Sequence, residues 1–409
     1  MEDLKDKPTL WDKIACAIAT YVIPSFILDR VYGLGKIKPD DTLTVIFTSG
    51  STGLPKGVQL TQANISSNVQ AVQQMVHLNR SDVIIGILPF FHSFGYTITL
   101  WTLLGIDVKL AYHFSPLEPK VVGSLTRKHR GTVLLATPTF LRSYLRRVDK
   151  EDFATLQIVV AGAEKLPIDL CSAFEEKFGV RPVEGYGTTE LSPLVSVNIP
   201  PARSVDNFQI DRKEGTVGRP IPNVAAKIVD LDTGEEKGVN EPGMLLITGP
   251  NVMKGYLNQP EETAKVLKDG WYTTGDVALI DEDGFLKITG RVSRFSKIGG
   301  EMVPHVRIEE AIDEILGPSD QEEIAIAVTA VEHPTKGERL VVVHTQLPLT
   351  PEEICQRLKK TGLPNLFIPS TDSFMQVEKI PILGSGKLDL RQLQSLAQER
   401  YATNGTAAS

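Results

Sequence analysis

The stretch Phe47–Val58, which reads FTSGSTGLPKGV, constrains this chain more than any other. It places three glycines, two serines, two threonines and one lysine in twelve positions. The apolar run Leu43–Phe47 ahead of it reads as a buried parallel strand. A Gly/Ser/Thr loop leaving a strand can turn its backbone N–H groups toward one point and hold an anion. Gly50, Gly53 and Gly57 allow the close backbone approach that this needs, and Lys56 adds a full positive charge. The loop therefore reads as a phosphate site rather than a solvated surface loop. It is not of the Walker kind, which ends Gly-Lys-Ser/Thr, because Lys56 lies between Pro55 and Gly57.

The rest of the chain alternates in the same style. Asp82–Leu88, Asp107–Ala111, Thr132–Ala136 and Gln157–Ala161 read as strands, with helices at Thr61–His77, Phe140–Val148 and Ile168–Phe178. Such alternation implies an α/β layer with a mostly parallel sheet, in which ligands bind beyond the carboxyl ends of the strands. From about Gly218 the texture changes to short strands, Ala225–Asp230, Gly243–Thr248, Val277–Ile280 and Phe285–Thr289, separated by Asp/Gly turns. Beyond Arg291, helices Val306–Leu316 and Pro351–Lys360 with strands Glu323–Val331 and Arg339–Gln346 make a small α+β unit. Residues 401–409 are small and polar and read as a disordered tail.

Charge and cysteine content narrow the function. A formal net charge of −7 over 409 residues argues against a nucleic-acid binder. Cys16, Cys171 and Cys355 are too few and too scattered for a disulfide framework or a zinc site, which points to a reducing, cytoplasmic compartment. The apolar stretch Ile14–Leu28 is interrupted by Pro24 and is shorter than the ~20 residues that span a bilayer. It lacks a small-residue cleavage site. It reads as a packed or interfacial helix, with peripheral membrane contact left open.

Four further segments carry polar chemistry: Gly162-Ala163-Glu164, Glu184-Gly185-Tyr186-Gly187-Thr188-Thr189-Glu190, Trp271–Asp276 ahead of strand Val277–Ile280, and Lys387 in a Gly-Ser-Gly-Lys turn. Singly, each has a bland reading as a cap or a solvated loop. Together, in this order from about Leu43 to Leu390, they resemble the adenylate-forming superfamily of acyl-CoA synthetases, acyl-ACP synthetases, luciferases and peptide-synthetase adenylation domains. Arg294–Val303 looks most like the acyl-ACP synthetases of the acylglycerophosphoethanolamine acyltransferase type.

The resemblance implies a large α/β adenylation domain over residues 1–292, with parallel-sheet layers and a β-rich subdomain. It also implies a small mobile α+β domain over 293–400 that turns about a hinge at Ser293. It implies activation of a carboxylic acid by ATP and Mg²⁺, giving an acyl-adenylate and pyrophosphate, and then displacement of AMP by a thiol. Because a carboxylate must attack the α-phosphate of an anionic nucleotide, catalysis there depends on positioning and charge neutralisation. In that frame Thr48, Ser49, Gly50, Ser51, Thr52, Gly53 and Lys56 hold the β- and γ-phosphates, with Thr48 also near the metal. Thr188 or Thr189 bonds the α-phosphate, and Glu190 binds Mg²⁺. Gly162, Ala163, Glu164 and Tyr186 line the adenine slot, with Glu184, Gly185 and Gly187 around it. Asp276 accepts from the ribose hydroxyls, assisted by Arg291. Lys387 reaches the α-phosphate and carboxylate. His92, in the run Pro89–Gly95, borders the acyl pocket, and Lys297 faces the site in the thioester-forming pose.

The chain departs from the family at Ser293, at His305, and above all at its start, where only 47 residues precede Thr48. A truncated reading frame, a separate polypeptide supplying the missing segment, and a reduced domain all remain open. The acid is expected to be a long-chain fatty acid. The expected acceptor is the phosphopantetheine thiol of acyl carrier protein, with coenzyme A as the rival. An acidic carrier protein needs a basic patch, which Arg127-Lys128-His129-Arg130, Arg142, Arg146 and Arg147 could supply unless they form an ordinary solvated face. A non-catalytic nucleotide- or acyl-binding remnant is the competing class.

Overall fold

A computed structural model describes residues 9–48, 55–204, 210–317, 324–333, 337–382 and 388–402. Ser49, Gly50, Ser51, Thr52 and Gly53 of the glycine loop, Lys387, and most of the expected tail lie outside these residues. Tyr401 and Ala402, placed in the tail from sequence, instead close the helix Leu390–Ala402.

Among the described residues, the largest of four sheets has seven strands. Five run parallel in the spatial order Lys109–Tyr112, Val83–Gly86, Val133–Ala136, Ile158–Ala161, Val183–Gly187. Leu194–Val197 and Arg219–Pro220 extend it antiparallel. Strands Val83–Gly86 and Val133–Ala136 are buried throughout because helices cover both faces, which is why they read as unbroken apolar runs. Over one face Tyr144, Phe153, Phe174 and Phe178 pack with centroid separations of 4.7 to 6.3 Å. Each such buried ring stabilises the fold by ~1.5–3 kcal/mol. The other face carries helix Gln62–Met75 and the π-helical Phe94–Trp101.

A buried ion pair stitches this sheet to the chain beyond it. Arg203 grips Asp82 with two bonds of 2.8 Å, and Thr132 Oγ1 and the Asn79 amide donate to the same carboxylate at 2.8 and 2.9 Å. Burial alone would raise the Asp82 pKa. The bonds from Arg203, Asn79 and Thr132 hold it below the ordinary value.

Two expectations are corrected here. The strand before the glycine loop, β1 (Thr42–Thr48), is neither parallel nor well buried. It pairs antiparallel with β2 (Lys56–Thr61) in a separate three-stranded sheet with Gly255–Tyr256, and only Ile46 of it is buried. The seven residues joining β1 to β2 suffice for a hairpin but not for the crossover that a parallel pair requires. The N-terminal apolar stretch is two helices split at Pro24, α1 (Leu10–Tyr21) and α2 (Ser25–Val31), and neither buries a residue. The single packed helix is therefore not found: Pro24, which has no amide hydrogen to continue the ladder, splits the stretch, and neither half has a buried residue.

The antiparallel region is one sheet built around the long strand Trp271–Ile280, flanked by Gly243–Thr248 and Leu286–Arg291. Trp271–Asp276 lies within that strand rather than ahead of it. Beyond it, a five-stranded sheet of Phe295–Ile298, Glu301–Pro304, Ile326–His333, Gly337–His344 and Phe374–Gln376 packs helices His305–Leu316 and Pro351–Leu358 on one face and Leu390–Ala402 on the other.

Candidate active site

Three carboxyl ends of the parallel sheet converge. Strand Ile158–Ala161 ends in Gly162, whose N–H donates to the Ala136 carbonyl at 3.2 Å, and Ala163 then turns back with φ +69°. A Cβ on Gly162 would lie 3.1 Å from the Phe94 ring, so glycine lets the aromatic segment after Val83–Gly86 close over this turn. The neighbouring strand ends at Gly187, where a Cβ would sit 2.0 Å from the Pro193 carbonyl oxygen. Only glycine permits the loop 188–193 to fold back there, with the Thr188 amide donating to that carbonyl at 3.0 Å.

That loop presents Thr188, Thr189 and Glu190. The Thr188 hydroxyl is buried without a hydrogen-bond partner. Such an orphan costs ~1–3 kcal/mol, and a phosphate oxygen would relieve it. Thr189 Oγ1 lies 3.2 Å from Ser93 Oγ. Glu190 is fixed twice by one segment: its carbonyl accepts from the Met253 amide at 2.8 Å, and its carboxylate accepts from the Tyr256 hydroxyl at 3.0 Å. The Tyr256 and Tyr272 hydroxyls are themselves hydrogen-bonded, and burial together with Glu190 raises the pKa of both phenols. Both therefore stay protonated donors.

Lys56 joins the same group from β2. Its ammonium lies 4.9 Å from the centre of the Tyr256 ring and 2.9 Å from Glu262 Oε2. Lys265 and Lys56 hold the Glu262 carboxyl down at about 2. Tyr256 and Glu262 were missed in the sequence, and Tyr272 stood out there only as part of the segment Trp271–Asp276. Tyr256 occupies a two-residue strand with no periodicity to read, and its partners are distant in the chain.

A second polar cluster is built from the antiparallel sheet. Between Met244–Val277 and Leu246–Thr273, three residues of the long strand face one of its neighbour. This bulge, with Gly275 at φ +76°, re-aims Asp276 inward. Asp276 is 1% exposed and lies opposite Arg291 in the cross-strand register. Arg291 Nε reaches Asp276 Oδ1 at 2.7 Å, and the Tyr186 hydroxyl donates to Oδ2. Burial and the Asp276 charge drive the Tyr186 phenol pKa well above its ordinary value, so Tyr186 also remains a donor.

Glu184, two residues before Tyr186, takes one bond of 3.2 Å from the Leu166 amide. Burial pushes its pKa up to about 7 against the pull of that amide and of Lys165. Glu164 accepts from the Thr139 amide and hydroxyl at 3.2 and 2.7 Å. His92 is exposed, and its Nδ1 accepts from the Phe94 amide at 3.3 Å. Lys297 stands apart from these residues: its ammonium pairs with Asp232 at 3.1 Å and its amide donates to Glu338 at 2.6 Å. Ser293 sits exposed in the single turn Val292–Arg294, between strands of two different sheets. His305 Nε2 lies 2.6 Å from Ser296 Oγ, and burial beside Arg294 pushes its pKa down to about 3. The basic run is partly committed to structure: Arg127 faces Asp152 at 3.7 Å and Arg142 faces Asp169 at 3.9 Å. Arg127, Lys128, His129, Arg146 and Arg147 stand in last turns of helices, where cations offset the dipole.

The sequence profile of AMP-binding enzymes matches residues 24–257. The chain belongs to the AMP-binding enzyme family. It is 35% identical over 287 residues to a long-chain-fatty-acid–CoA ligase of Bacillus subtilis (strain 168), covering 68% of this chain and 49% of that protein. It is 31% identical over 383 residues to 4-coumarate–CoA ligase 1 of Arabidopsis thaliana, covering 91% and 65%. Among solved structures, ATP-bound MatB from Rhodopseudomonas palustris matches with a TM-score of 0.77 at 28% identity, covering 89% of this chain and 70% of that one. The Bacillus subtilis o-succinylbenzoate CoA synthetase bound to its acyl-adenylate matches with 0.72 at 27%, covering 87% and 70%. The chain thus spans about half to two thirds of the length of these curated relatives. The α/β architecture is that of adenylate-forming enzymes.

Proposed function

We propose that this protein uses ATP to convert a long-chain fatty acid to an acyl-adenylate, and then passes the acyl group to a phosphopantetheine thiol. The observation that carries the reading is the bulge-mounted Asp276 held between Arg291 and Tyr186, the latter on the strand that leads directly into Thr188–Glu190. An acid acceptor for sugar hydroxyls and an unpartnered buried hydroxyl suited to a phosphate oxygen are thus linked through Tyr186, which bonds Asp276 and stands two residues before Thr188. Attack by the fatty carboxylate on the α-phosphate forms a C(O)–O–P bond and breaks the bond to pyrophosphate. Lys56 and the glycine loop hold the leaving pyrophosphate, while Thr188 and Lys387 take up charge at the α-phosphate.

Among the described residues no group of three acidic, histidine or cysteine ligands could cage a metal. The lone carboxylate of Glu190, steadied by Tyr256, instead fits a hard cation that takes its other ligands from phosphates. Magnesium bound there would neutralise phosphate charge. We assign residues from Ser293 onward to a unit that turns between the two half-reactions. Lys297, now paired with Asp232, would leave that partner when the unit turns.

Relatives named as CoA ligases favour coenzyme A as acceptor, whereas the Arg294–Val303 segment favours acyl carrier protein. Both present the same thiol arm. The test is fatty-acid-dependent ATP–pyrophosphate exchange by the full chain and by Lys387→Ala, followed by thioester formation with coenzyme A and with purified acyl carrier protein. Exchange in the wild type that is lost in Lys387→Ala supports activation, and faster thioester formation on the carrier protein supports the narrower assignment. A folded chain without acid-dependent exchange would leave only nucleotide or acyl binding.

A further inference from the structure

The proposed reaction asks Lys56 to hold pyrophosphate, yet Lys56 already has an anion. Its side chain is 12% exposed, and its ammonium lies 2.9 Å from Glu262 Oε2 and 4.9 Å from the centre of the Tyr256 ring. A lysine buried to that degree needs a counter-charge. Glu262 supplies it from the helix Pro260–Val266, 206 residues along the chain.

The backbone around this pair is clamped. Lys56 opens β2, where Val58 lies opposite Tyr256 in the register and the Gly57 carbonyl accepts from the Leu257 amide at 2.7 Å. The Tyr256 amide donates to Thr263 Oγ1 at 2.9 Å, and the Thr263 amide and hydroxyl both donate to the Gln259 carbonyl, at 3.0 and 2.9 Å. Glu262 is thus tied to the strand that is tied to Lys56. Neither backbone is free to draw away, and the freedom that remains lies in the flexible four-carbon stem of the lysine.

Glu262 also holds a second cation. Lys265, three residues on and mostly exposed, donates to Oε1, while Oε2 faces Lys56. A carboxylate with a single partner is left uncompensated when that partner departs. Glu262 would keep Lys265. We propose that Glu262 is a positioning residue that competes with polyphosphate for Lys56, and that Lys265 is the reserve cation that makes the exchange easy. Lys56 swings from Glu262 to the phosphates as the nucleotide enters, and Glu262 takes it back as pyrophosphate leaves. The exchange makes and breaks no covalent bond. It rests on the reading of Lys56 as a ligand of pyrophosphate.

A competing carboxylate and a merely supporting one predict opposite signs. A competitor lowers apparent affinity by the fraction of Lys56 it occupies, whereas a support raises it. The test is calorimetric titration of the full chain with inorganic pyrophosphate and Mg²⁺, with melting to check that each variant folds. Glu262→Gln should bind pyrophosphate at least about fivefold more tightly than the wild type. Lys265→Gln, at an exposed site, should bind it about threefold more weakly, because Glu262 then keeps Lys56. In the Glu262→Gln background, Lys265→Gln should change nothing. Weaker or unchanged binding by Glu262→Gln would overturn the exchange and leave Glu262 as a support. A Lys265→Gln effect that persists in the Glu262→Gln background would overturn it in favour of long-range charge. A folded wild type that binds no pyrophosphate would overturn the reading of Lys56 itself, and the exchange with it.

Discussion

Two aspartate–arginine pairs in this molecule share their chemistry and differ in what surrounds them. Asp82 and Asp276 each have a side chain 2% exposed. Their arginines do not match: Arg203 is 8% exposed and Arg291 is 61% exposed. Asp82 has both oxygens filled by Arg203, Thr132 and Asn79, so nothing remains for a ligand to take. Asp276 is shared between the Tyr186 hydroxyl and an arginine whose side chain is more than half exposed. The saturated pair leaves a ligand nothing to bond, whereas the pair with one exposed member leaves room for the sugar hydroxyls we propose it to hold. Burial of the acid is the same in both; the exposure of its partner is what differs.

Breaking the Asp82–Arg203 pair should have the largest effect on stability. Asp82→Ala leaves Arg203 buried and unpaired, and should cost about 3–5 kcal/mol in denaturant unfolding. Because the folded Asp82 pKa is depressed, its contribution is present above the unfolded value of ~3.9 and is lost as pH falls through the folded value. The variant should accordingly show a flatter acid limb. Breaking the Asp276–Arg291 pair should act on chemistry instead. Asp276→Ala should lower acid-dependent exchange about 10²–10³-fold, or ~3–4 kcal/mol in the barrier, while its unfolding midpoint moves far less than that of Asp82→Ala.

Glu184 sharpens the comparison, being a part-buried acid with no arginine at all. Its folded pKa of about 7 lies above its model-peptide value, so wild-type stability should decline as pH rises from ~4.5 toward 7. Glu184→Gln removes that decline and should be the more stable protein at pH 8 by up to ~3 kcal/mol, read from urea midpoints at pH 5 and 8. The smallest effect is expected at Tyr256→Phe. It deletes one hydroxyl from Glu190 and should reduce exchange about tenfold, ~1.4 kcal/mol, chiefly at limiting MgATP.

Sequence showed the parallel layer well because its strands are buried on both faces and keep short, unbroken apolar runs. It missed the pairing of β1 because an apolar run looks the same in a hairpin as in a crossover. The bulge at Gly275 was equally hidden, since Thr-Gly-Asp inside a strand reads as a turn ahead of one. Motif residues Tyr186, Glu190, Asp276 and Arg291 were legible as types, and the fold joins Tyr186 to Asp276 and Arg291. Tyr256 and Glu262, which steady Glu190 and Lys56, were not, because a lone tyrosine and a helix-start glutamate have common structural uses. The Asp82–Arg203 staple spans 121 residues of chain and no local pattern announces it.

The most direct test of the account is to look for the acyl-adenylate itself. The full chain and Asp276→Ala would each be incubated with ATP, Mg²⁺ and a long-chain fatty acid without thiol, and the mixed anhydride quantified by mass spectrometry beside released pyrophosphate. The account predicts acyl-adenylate and pyrophosphate in equal amounts from the wild type and at least a hundredfold less from the variant. A folded wild type that makes none, or a variant that makes as much, would contradict it.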